Sequence, residues 1–224
     1  MKTIVLSLGG SVVLSDEANP SFLKQIAELL QKISSNYKLY VIVGGGTIAR
    51  QYINLGRMLG FPENLLDQLG IDITRVNARV LTNLLPDSNK EIPYTTAQAI
   101  KLTNKIIVMG GTEPQHSTDL VGAEIAQKTT AERFVNATNV DGIYDKDPKK
   151  HPDAKKISEI TIDELIKIYG TRWEAAGKNV FMDGPALSVI KKARIPTFIV
   201  NGKKLDQLEN ALLGKHFDGT TILV

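Results

Sequence analysis

Residues 39–50, Leu39-Tyr40-Val41-Ile42-Val43-Gly44-Gly45-Gly46-Thr47-Ile48-Ala49-Arg50, read as a buried strand, a glycine turn and the opening of a helix. An unbroken apolar run without alternation fits a strand covered on both faces, as in a parallel sheet. The same order recurs twice. Thr3 to Leu8 (TIVLSL) runs into Gly9-Gly10-Ser11, and Lys105 to Met109 (KIIVM) runs into Gly110-Gly111-Thr112. Each turn precedes sequence with helical periodicity, so three sets of backbone N–H groups would converge on one edge of a sheet and receive an anion there. Glycine suits such turns because a Cβ would hold the main chain away from the anion. One glycine pair alone reads as a tight connection; three in equivalent positions point to a phosphate site.

Outward from these turns, strands and helices alternate. Asn19-Pro20 opens a helix to about Ser34, with Phe22, Leu23, Ile26, Leu29, Leu30 and Ile33 at helical spacing. Thr47 to about Leu59 is the next helix, broken at Gly60-Phe61-Pro62, and Glu63 to Leu85 a longer one stopped by Pro86. Ser117 to Thr130 is helical, Arg133 to Ala137 is a fourth buried strand, and Asp141-Gly142 marks a turn before a polar loop, Asp145 to Lys156. Helices at Ile162 to Tyr169, Pro185 to Ala193 and Leu205 to Leu213, with strands at Pro196 to Val200 and Thr220 to Leu223, complete the pattern. It predicts a three-layer α/β/α sandwich with a mainly parallel central sheet and ligands at the carboxyl ends of its strands. With no repeat, low-complexity tract or linker, residues 1–224 are expected to form a single domain.

Composition narrows the chemistry. The 27 Lys and Arg are interspersed with 24 Asp and Glu, leaving a net charge of +3 with no concentrated basic face, which argues against a nucleic-acid partner. The absence of cysteine removes disulfides, thiolate metal sites and cysteine nucleophiles, and fits a reducing compartment. His116, His151 and His216 are too scattered for a zinc site. No segment has the apolar length to cross a bilayer and no signal-peptide pattern precedes the first strand, so the expectation is a cytoplasmic protein without a membrane partner. GxxxxGK[ST], the protein-kinase motif set and a helix-opening GxGxxG are all missing. Any metal is therefore expected to be magnesium held through phosphates, with no metal-ligating side chains assigned.

Four segments carry a family resemblance: SLGGSV (Ser7 to Val12), VGGGTIAR (Val43 to Arg50), MGGTEPQHSTDLVGA (Met109 to Ala123) and ATNVDGIYDKDPKK (Ala137 to Lys150). They resemble the amino acid kinase superfamily across essentially the whole chain. Asp67 followed by GIDITRVNA (Gly70 to Ala78) resembles its uridylate kinases, in particular the archaeal branch. The resemblance implies phosphoryl transfer from MgATP to UMP, an N-terminal lobe of about residues 1–130 holding UMP, a C-terminal lobe of about 131–224 holding ATP, and a homohexamer.

The roles implied by this resemblance are specific. Gly9, Gly10 and Gly46, with Arg50, surround the donor and transferring phosphates. Gly45, Asp67 and the run Thr112, Glu113, Pro114, Gln115, His116, Ser117 and Thr118 form the UMP site, Asp67 accepting hydrogen bonds from ribose hydroxyls. Thr138, Asn139, Tyr144 and Asp147 frame the ATP. Asp119 and Asp183 belong to the transfer centre with Arg50. Taken singly, Arg50 also reads as a solvated helix arginine, Asp67 as an exposed helical carboxylate, Asp119 as a helix-terminal carboxylate, Asp147 as a turn residue and Asp183 as an N-cap.

One residue departs from the superfamily pattern. Many members carry lysine two residues before the first glycine pair, where this chain has Ser7. Lys146, Lys149, Lys150 and Lys178 are the candidate replacement cations, although a lysine run is also what a solvated loop contains. Two alternatives to UMP phosphorylation stay open at this point: another small-molecule kinase of the same fold, with a carboxylate, carbamate or isoprenoid phosphate acceptor, and a non-catalytic nucleotide sensor.

Overall fold

The computed structural model describes residues 1–13, 19–146, 148, 150–172 and 182–224. Its elements follow in the order β1 (Lys2–Leu8), α1 (Gly10–Val13), α2 (Pro20–Ser34), β2 (Tyr37–Val43), α3 (Gly46–Met58), α4 (Glu63–Thr82), α5 (Thr96–Lys101), β3 (Ile106–Met109), α6 (Thr118–Lys128), β4 (Arg133–Thr138), β5 (Ile143–Tyr144), β6 (Lys156–Ile157), β7 (Glu159–Thr161), α7 (Ile162–Tyr169), α8 (Gly184–Ala193), β8 (Thr197–Asn201), α9 (Leu205–Leu213) and β9 (Gly219–Leu223). Seven strands form one sheet in the order β3-β2-β1-β4-β8-β9-β7. The first five are mutually parallel, while β9 runs antiparallel to β8 and parallel to β7. The sheet is thus mainly parallel, with two reversed strands at one edge. Central β1 pairs with β2 on one side and β4 on the other, so both halves of the chain share the sheet.

Alternation within the buried strands sorts their side chains into two cores. Ile4, Leu6, Leu8, Val41 and Val43 pack with Ile26 and Leu30 of α2, Leu81 of α4 and Leu208 of α9. Val5, Ile42, Met109 and Phe134 face the other way, onto Val121 and Ile125 of α6, Leu165 of α7 and Leu187 of α8. The three-layer sandwich follows, and burial on both faces is why these strands read as unbroken apolar runs. Gly122 lets α6 lie close to the sheet: a Cβ there would stand 2.7 Å from the Phe134 ring.

Local sequence specifies the helix ends. Asn19 accepts hydrogen bonds from the N–H groups of Ser21 and Phe22 at 3.0 and 3.3 Å, with Pro20 opening α2. Thr161 and Glu164 form a reciprocal capping box on α7. α4 stops at Thr82, short of the expected Leu85. Bonds from Leu84 N–H to the Leu81 carbonyl (3.0 Å) and from Leu85 N–H to that of Thr82 (3.2 Å) tighten the last turn before Pro86, which disfavours helix at the residue preceding it.

Some elements have no counterpart in the sequence reading: α5, β7 and the short antiparallel pair β5–β6 that bounds the polar loop. The segment after α4 covers the β3 edge. There Asn89 exchanges two hydrogen bonds with the Val108 backbone, at 2.6 and 2.9 Å, in the manner of a neighbouring strand. Of the three glycine turns, the second alone leads directly into a full helix. The first is followed by the four-residue α1, and the third by the loop through Ser117.

Candidate active site

A cleft of about 700 Å³ opens at the carboxyl ends of β1, β2 and β4. Its floor consists of the first two glycine turns, Gly9-Gly10 and Gly44-Gly45-Gly46. These turns touch backbone to backbone. A Cβ on Gly10 would approach the Gly45 carbonyl carbon to 2.6 Å, and one on Gly46, whose φ is +67°, would lie 2.7 Å from that of Gly10. Glycine is therefore required first for the turns to pack together, and the convergence of their amides follows from that contact. Gly45, at the N-cap of α3, has no side chain to claim the first-turn N–H groups, which leaves them for an anion. Arg50, in the opening turns of the same helix, lines the cleft.

Two carboxyls sit beside this floor. Asp119 occupies the first turn of α6, whose N-cap Ser117 accepts from Leu120 N–H at 3.0 Å. The Ser7 hydroxyl donates to Asp119 Oδ1 at 2.7 Å, and the Asn136 side chain also hydrogen-bonds this carboxyl. Ser7 and Asn136 are register partners on β1 and β4, and both are buried. Burial pushes the Asp119 carboxyl up to about 7; the nearby charge of Asp183 acts in the same direction, and the Ser7 and Asn136 bonds oppose it. Asp183 caps α8 by accepting from Ala186 N–H at 2.9 Å. Burial raises its pKa too, against the opposing influence of Ser117, the Ala186 amide and His116. The capping reading of Asp183 holds but leaves an oxygen over, because Oδ2 is buried without a partner among the described residues. Among the described residues no lysine or arginine forms an ion pair with either carboxyl.

On one side, the loop from Gly110 to Ser117 forms a wall fastened by α4. Asp67 Oδ2 accepts from the Gln115 N–H at 2.9 Å, and Thr74 Oγ1 accepts from the Gly111 N–H at 2.6 Å. Burial raises the Asp67 pKa, the Gln115 amide lowers it, and Glu63 adds a smaller upward push. Gly111, Glu113, His116, Ser117 and Thr118 line the cleft together with Gly45 and Asp67. Thr112, Pro114 and Gln115 belong to the same loop and are not among the lining residues. Thr112 Oγ1 is buried without a hydrogen-bond partner among the described residues.

The opposite wall runs from Thr138 to Lys146. Thr138 shapes its own turn, its hydroxyl accepting from Val140 N–H at 3.1 Å and donating to the Val140 carbonyl at 3.0 Å. Gly142, at φ +144°, lies against Thr220, whose hydroxyl accepts from Ile143 N–H at 2.9 Å. Behind the turn, Asp141 accepts from Asn201 at 2.9 Å and pairs with Lys204 at 2.8 Å; Lys204 also lies 3.6 Å from Asp218, which pairs with Lys156. Thr138, Asn139, Tyr144 and Lys146 line the cleft, as do Tyr169 and Arg172.

Sequence and structure comparisons agree with this architecture. The amino acid kinase family matches the chain over residues 2–201. The chain belongs to that family. Among curated relatives of this amino acid kinase family member are the uridylate kinase of Methanothermobacter thermautotrophicus, 42% identical over 98% of both chains, and that of Methanobrevibacter smithii, 40% identical over 98% of both. The crystal structure of uridylate kinase from Archaeoglobus fulgidus superposes with a TM-score of 0.86 at 35% identity, covering 99% of this chain and 100% of that one. The UMP kinase of Ureaplasma parvum shares the fold at a TM-score of 0.79 and 24% identity.

Within this family member, Gly9, Gly10, Gly45, Gly46, Arg50, Asp67, Glu113, His116, Ser117, Thr118, Asp119, Thr138, Asn139, Tyr144 and Asp183 meet at one cleft. Asp147 lies outside the described residues, as do Lys149 and Lys178. Lys146 pairs with Asp153 at 2.5 Å, and Lys150 is exposed away from the lining. Sequence reasoning passed over Asn136, Thr74 and Arg172. A polar residue inside the apolar run RFVNA was the available signal for Asn136. Arg172 gave none, and Thr74 lay within the flagged run GIDITRVNA without a role of its own, because its bond to the Gly111 amide depends on tertiary packing.

Proposed function

We propose that this protein transfers the γ-phosphoryl group of MgATP to UMP, giving UDP and ADP. The observation that carries the reading is the two-walled cleft over a glycine floor, in a chain matching uridylate kinases at about 40% identity along its whole length. The N-terminal part, to about residue 130, would hold UMP against Asp67 and the loop to Thr118. The part beyond it would hold ATP against Thr138, Asn139 and Tyr144. An α-phosphate oxygen of UMP attacks the γ-phosphorus as the bond to the β–γ bridging oxygen breaks, and the electron pair leaves with ADP. The attacking oxygen is already anionic, so no general base is needed, and alignment with charge neutralisation does the work.

Backbone amides of the two glycine turns and the Arg50 guanidinium would bind and orient the phosphates. Magnesium fits the acidic side of the site, where the Asp183 Oδ2 is left over and neutral donors alone hold Asp119. When bound with the phosphates, the metal supplies the charge neutralisation that a lysine at position 7 would contribute. Asp119 and Asp183, kept in place by Ser7, Asn136, Ser117 and Ala186, would face the magnesium-bound phosphates and help to hold them.

We further propose that a second copy covers the apolar surface exposed at the α3–α4 corner, where Tyr52, Leu55, Met58, Leu59 and Phe61 lie. A homohexamer is the expected assembly, to be checked by light scattering. No described helix is long and apolar enough to cross a membrane, and a cytoplasmic location is proposed with it. The functional reading is tested by an ATP-dependent phosphorylation assay across nucleoside monophosphates and small carboxylates. UMP is expected as the preferred acceptor, with an absolute need for magnesium; preference for acetylglutamate, aspartate or carbamate overturns it.

A further inference from the structure

Arg75 lies on α4, outside the cleft lining, with 17% of its side chain exposed. Its Nε donates to the Gly111 carbonyl at 3.2 Å and its Nη2 to the Thr112 carbonyl at 2.9 Å. The guanidinium stands 4.3 Å from the centre of the Tyr94 ring, and Nη1 is 3.6 Å from Asp72 Oδ1. Two consecutive carbonyls are thus held by one planar fork stacked on an aromatic face. A lysine ammonium cannot reproduce that geometry.

The place of this clamp in the chain gives it consequence. Gly110 passes so close to α4 that a Cβ on it would stand 2.8 Å from Arg75 N. Immediately downstream come Glu113, His116, Ser117, Thr118 and Asp119, all facing the cleft. Tyr94 is itself held at the start of α5, where its N–H donates to Gln98 Oε1 at 2.8 Å. The ring is exposed on its outer side, so its energetic use is as a platform for Arg75 rather than as core.

We propose that Arg75, braced by Tyr94, is a positioning residue for the acceptor. It sets the point from which the loop leaves the sheet, so that the cleft-facing residues are in place before the acceptor arrives and less ordering is required on binding. This rests on the assignment of that loop to UMP.

The test uses the whole 224-residue chain with Arg75→Lys, Tyr94→Phe and Tyr94→Ala. Kinetics with each substrate varied and calorimetric UMP titration are combined with amide hydrogen exchange of residues 111–117 without ligand. Arg75→Lys should raise the Michaelis constant for UMP about tenfold, the scale of losing one charge-assisted contact, leave that for ATP within about twofold, and speed loop exchange. Tyr94→Phe should behave as the parent, because the ring face is kept, while Tyr94→Ala should fall between. Unchanged loop exchange in Arg75→Lys, or equal weakening of both substrates, overturns the proposal. If the parent protein fails to use UMP, the functional reading fails, while the exchange data still judge the clamp independently.

Discussion

The two walls of the cleft are held in different ways. The loop after β3 is fastened to α4 by bonds to backbone groups: Thr74 to the Gly111 amide, Arg75 to the Gly111 and Thr112 carbonyls, Asp67 to the Gln115 amide. The Thr138 to Lys146 wall closes its own turn through Thr138 and Gly142, and is backed by the half-exposed ion pairs of Lys204 with Asp141 and Lys156 with Asp218. The Thr74 bond is buried and the two Arg75 bonds are partly so, and bonds to backbone shielded in this way specify a conformation; the Asp67 bond to Gln115 is exposed, and exposed ion pairs add little because water and salt screen them. The first wall is thus tied to a neighbouring helix by several side chains, whereas the second has one buried bond of that kind, from Ile143 N–H to the Thr220 hydroxyl, beside its ion pairs; the first is expected to be the more preorganised of the two. Asp119 stands between them and belongs to neither.

Replacing Asp119 tests that central position with the largest expected effects. Asp119→Asn should lower turnover on the order of a hundredfold or more, the scale of losing one transition-state electrostatic contact, while both Michaelis constants stay near the parent values. Normal turnover would make Asp119 a helix-terminal carboxylate only. Stability should move oppositely. Burial pushes the carboxyl up to about 7 from an ordinary value of 3.8, so the folded state is expected to hold its proton more tightly than the unfolded one. Folding stability therefore declines as pH rises from about 4 to about 7 and then levels off. Asp119→Asn removes this penalty and should gain, relative to the parent, on the order of a few kcal/mol between about pH 5 and pH 8 in urea denaturation without ligands. Parallel stability curves for the two proteins would show that Asp119 is not held protonated by its surroundings.

The next largest effects distinguish the walls. Asp67→Ala should raise the Michaelis constant for UMP about ten- to a hundredfold and leave that for ATP nearly unchanged, since the carboxylate is assigned to ribose hydroxyls. Tyr144→Ala should do the reverse. Asp67→Asn sharpens the comparison, because an amide oxygen can still accept from Gln115 N–H and keep the loop while losing the charge. If Asp67→Asn matches Asp67→Ala, the ribose contact dominates; if it matches the parent, loop anchorage does. Equal weakening of ATP and UMP would break the two-wall assignment.

What sequence could show follows the same division. The apolar runs and glycine turns announce themselves because each is dictated by local physics: burial on both faces of a strand, and close backbone approach at Gly10 and Gly46. Asp119 and Asp183 were legible as helix-terminal acids, and the structure adds that Asp119 is held by Ser7 and Asn136 from two different strands. That pairing depends on the β1–β4 register, which no local pattern encodes. Thr74 and Arg75 were hidden for a related reason. Both lie within the run GIDITRVNA, whose likeness to uridylate kinases marked the segment without assigning a role to either side chain, and their partners lie in a loop about 36 residues further on. Short elements such as α5 and β7 escaped because their runs are too brief to establish a period.

The smallest expected effect concerns the ion pairs behind the second wall. Lys204 is 43% exposed, and it pairs with Asp141 at 2.8 Å while lying 3.6 Å from Asp218. Exposed pairs of this kind contribute little, so Lys204→Met should raise the Michaelis constant for ATP by about two- to threefold and leave that for UMP unchanged. The difference should shrink in concentrated salt, where the parent protein loses the same interaction. Combined with Asp67→Ala, the effects should add as free energies, because the residues share no partner and act on opposite walls. A Lys204→Met protein whose ATP defect persists undiminished at high salt would mean that the second wall is held by the Ile143–Thr220 bond and its surrounding packing and not by charge, and one that loses UMP affinity would break the assignment of the two walls to different substrates.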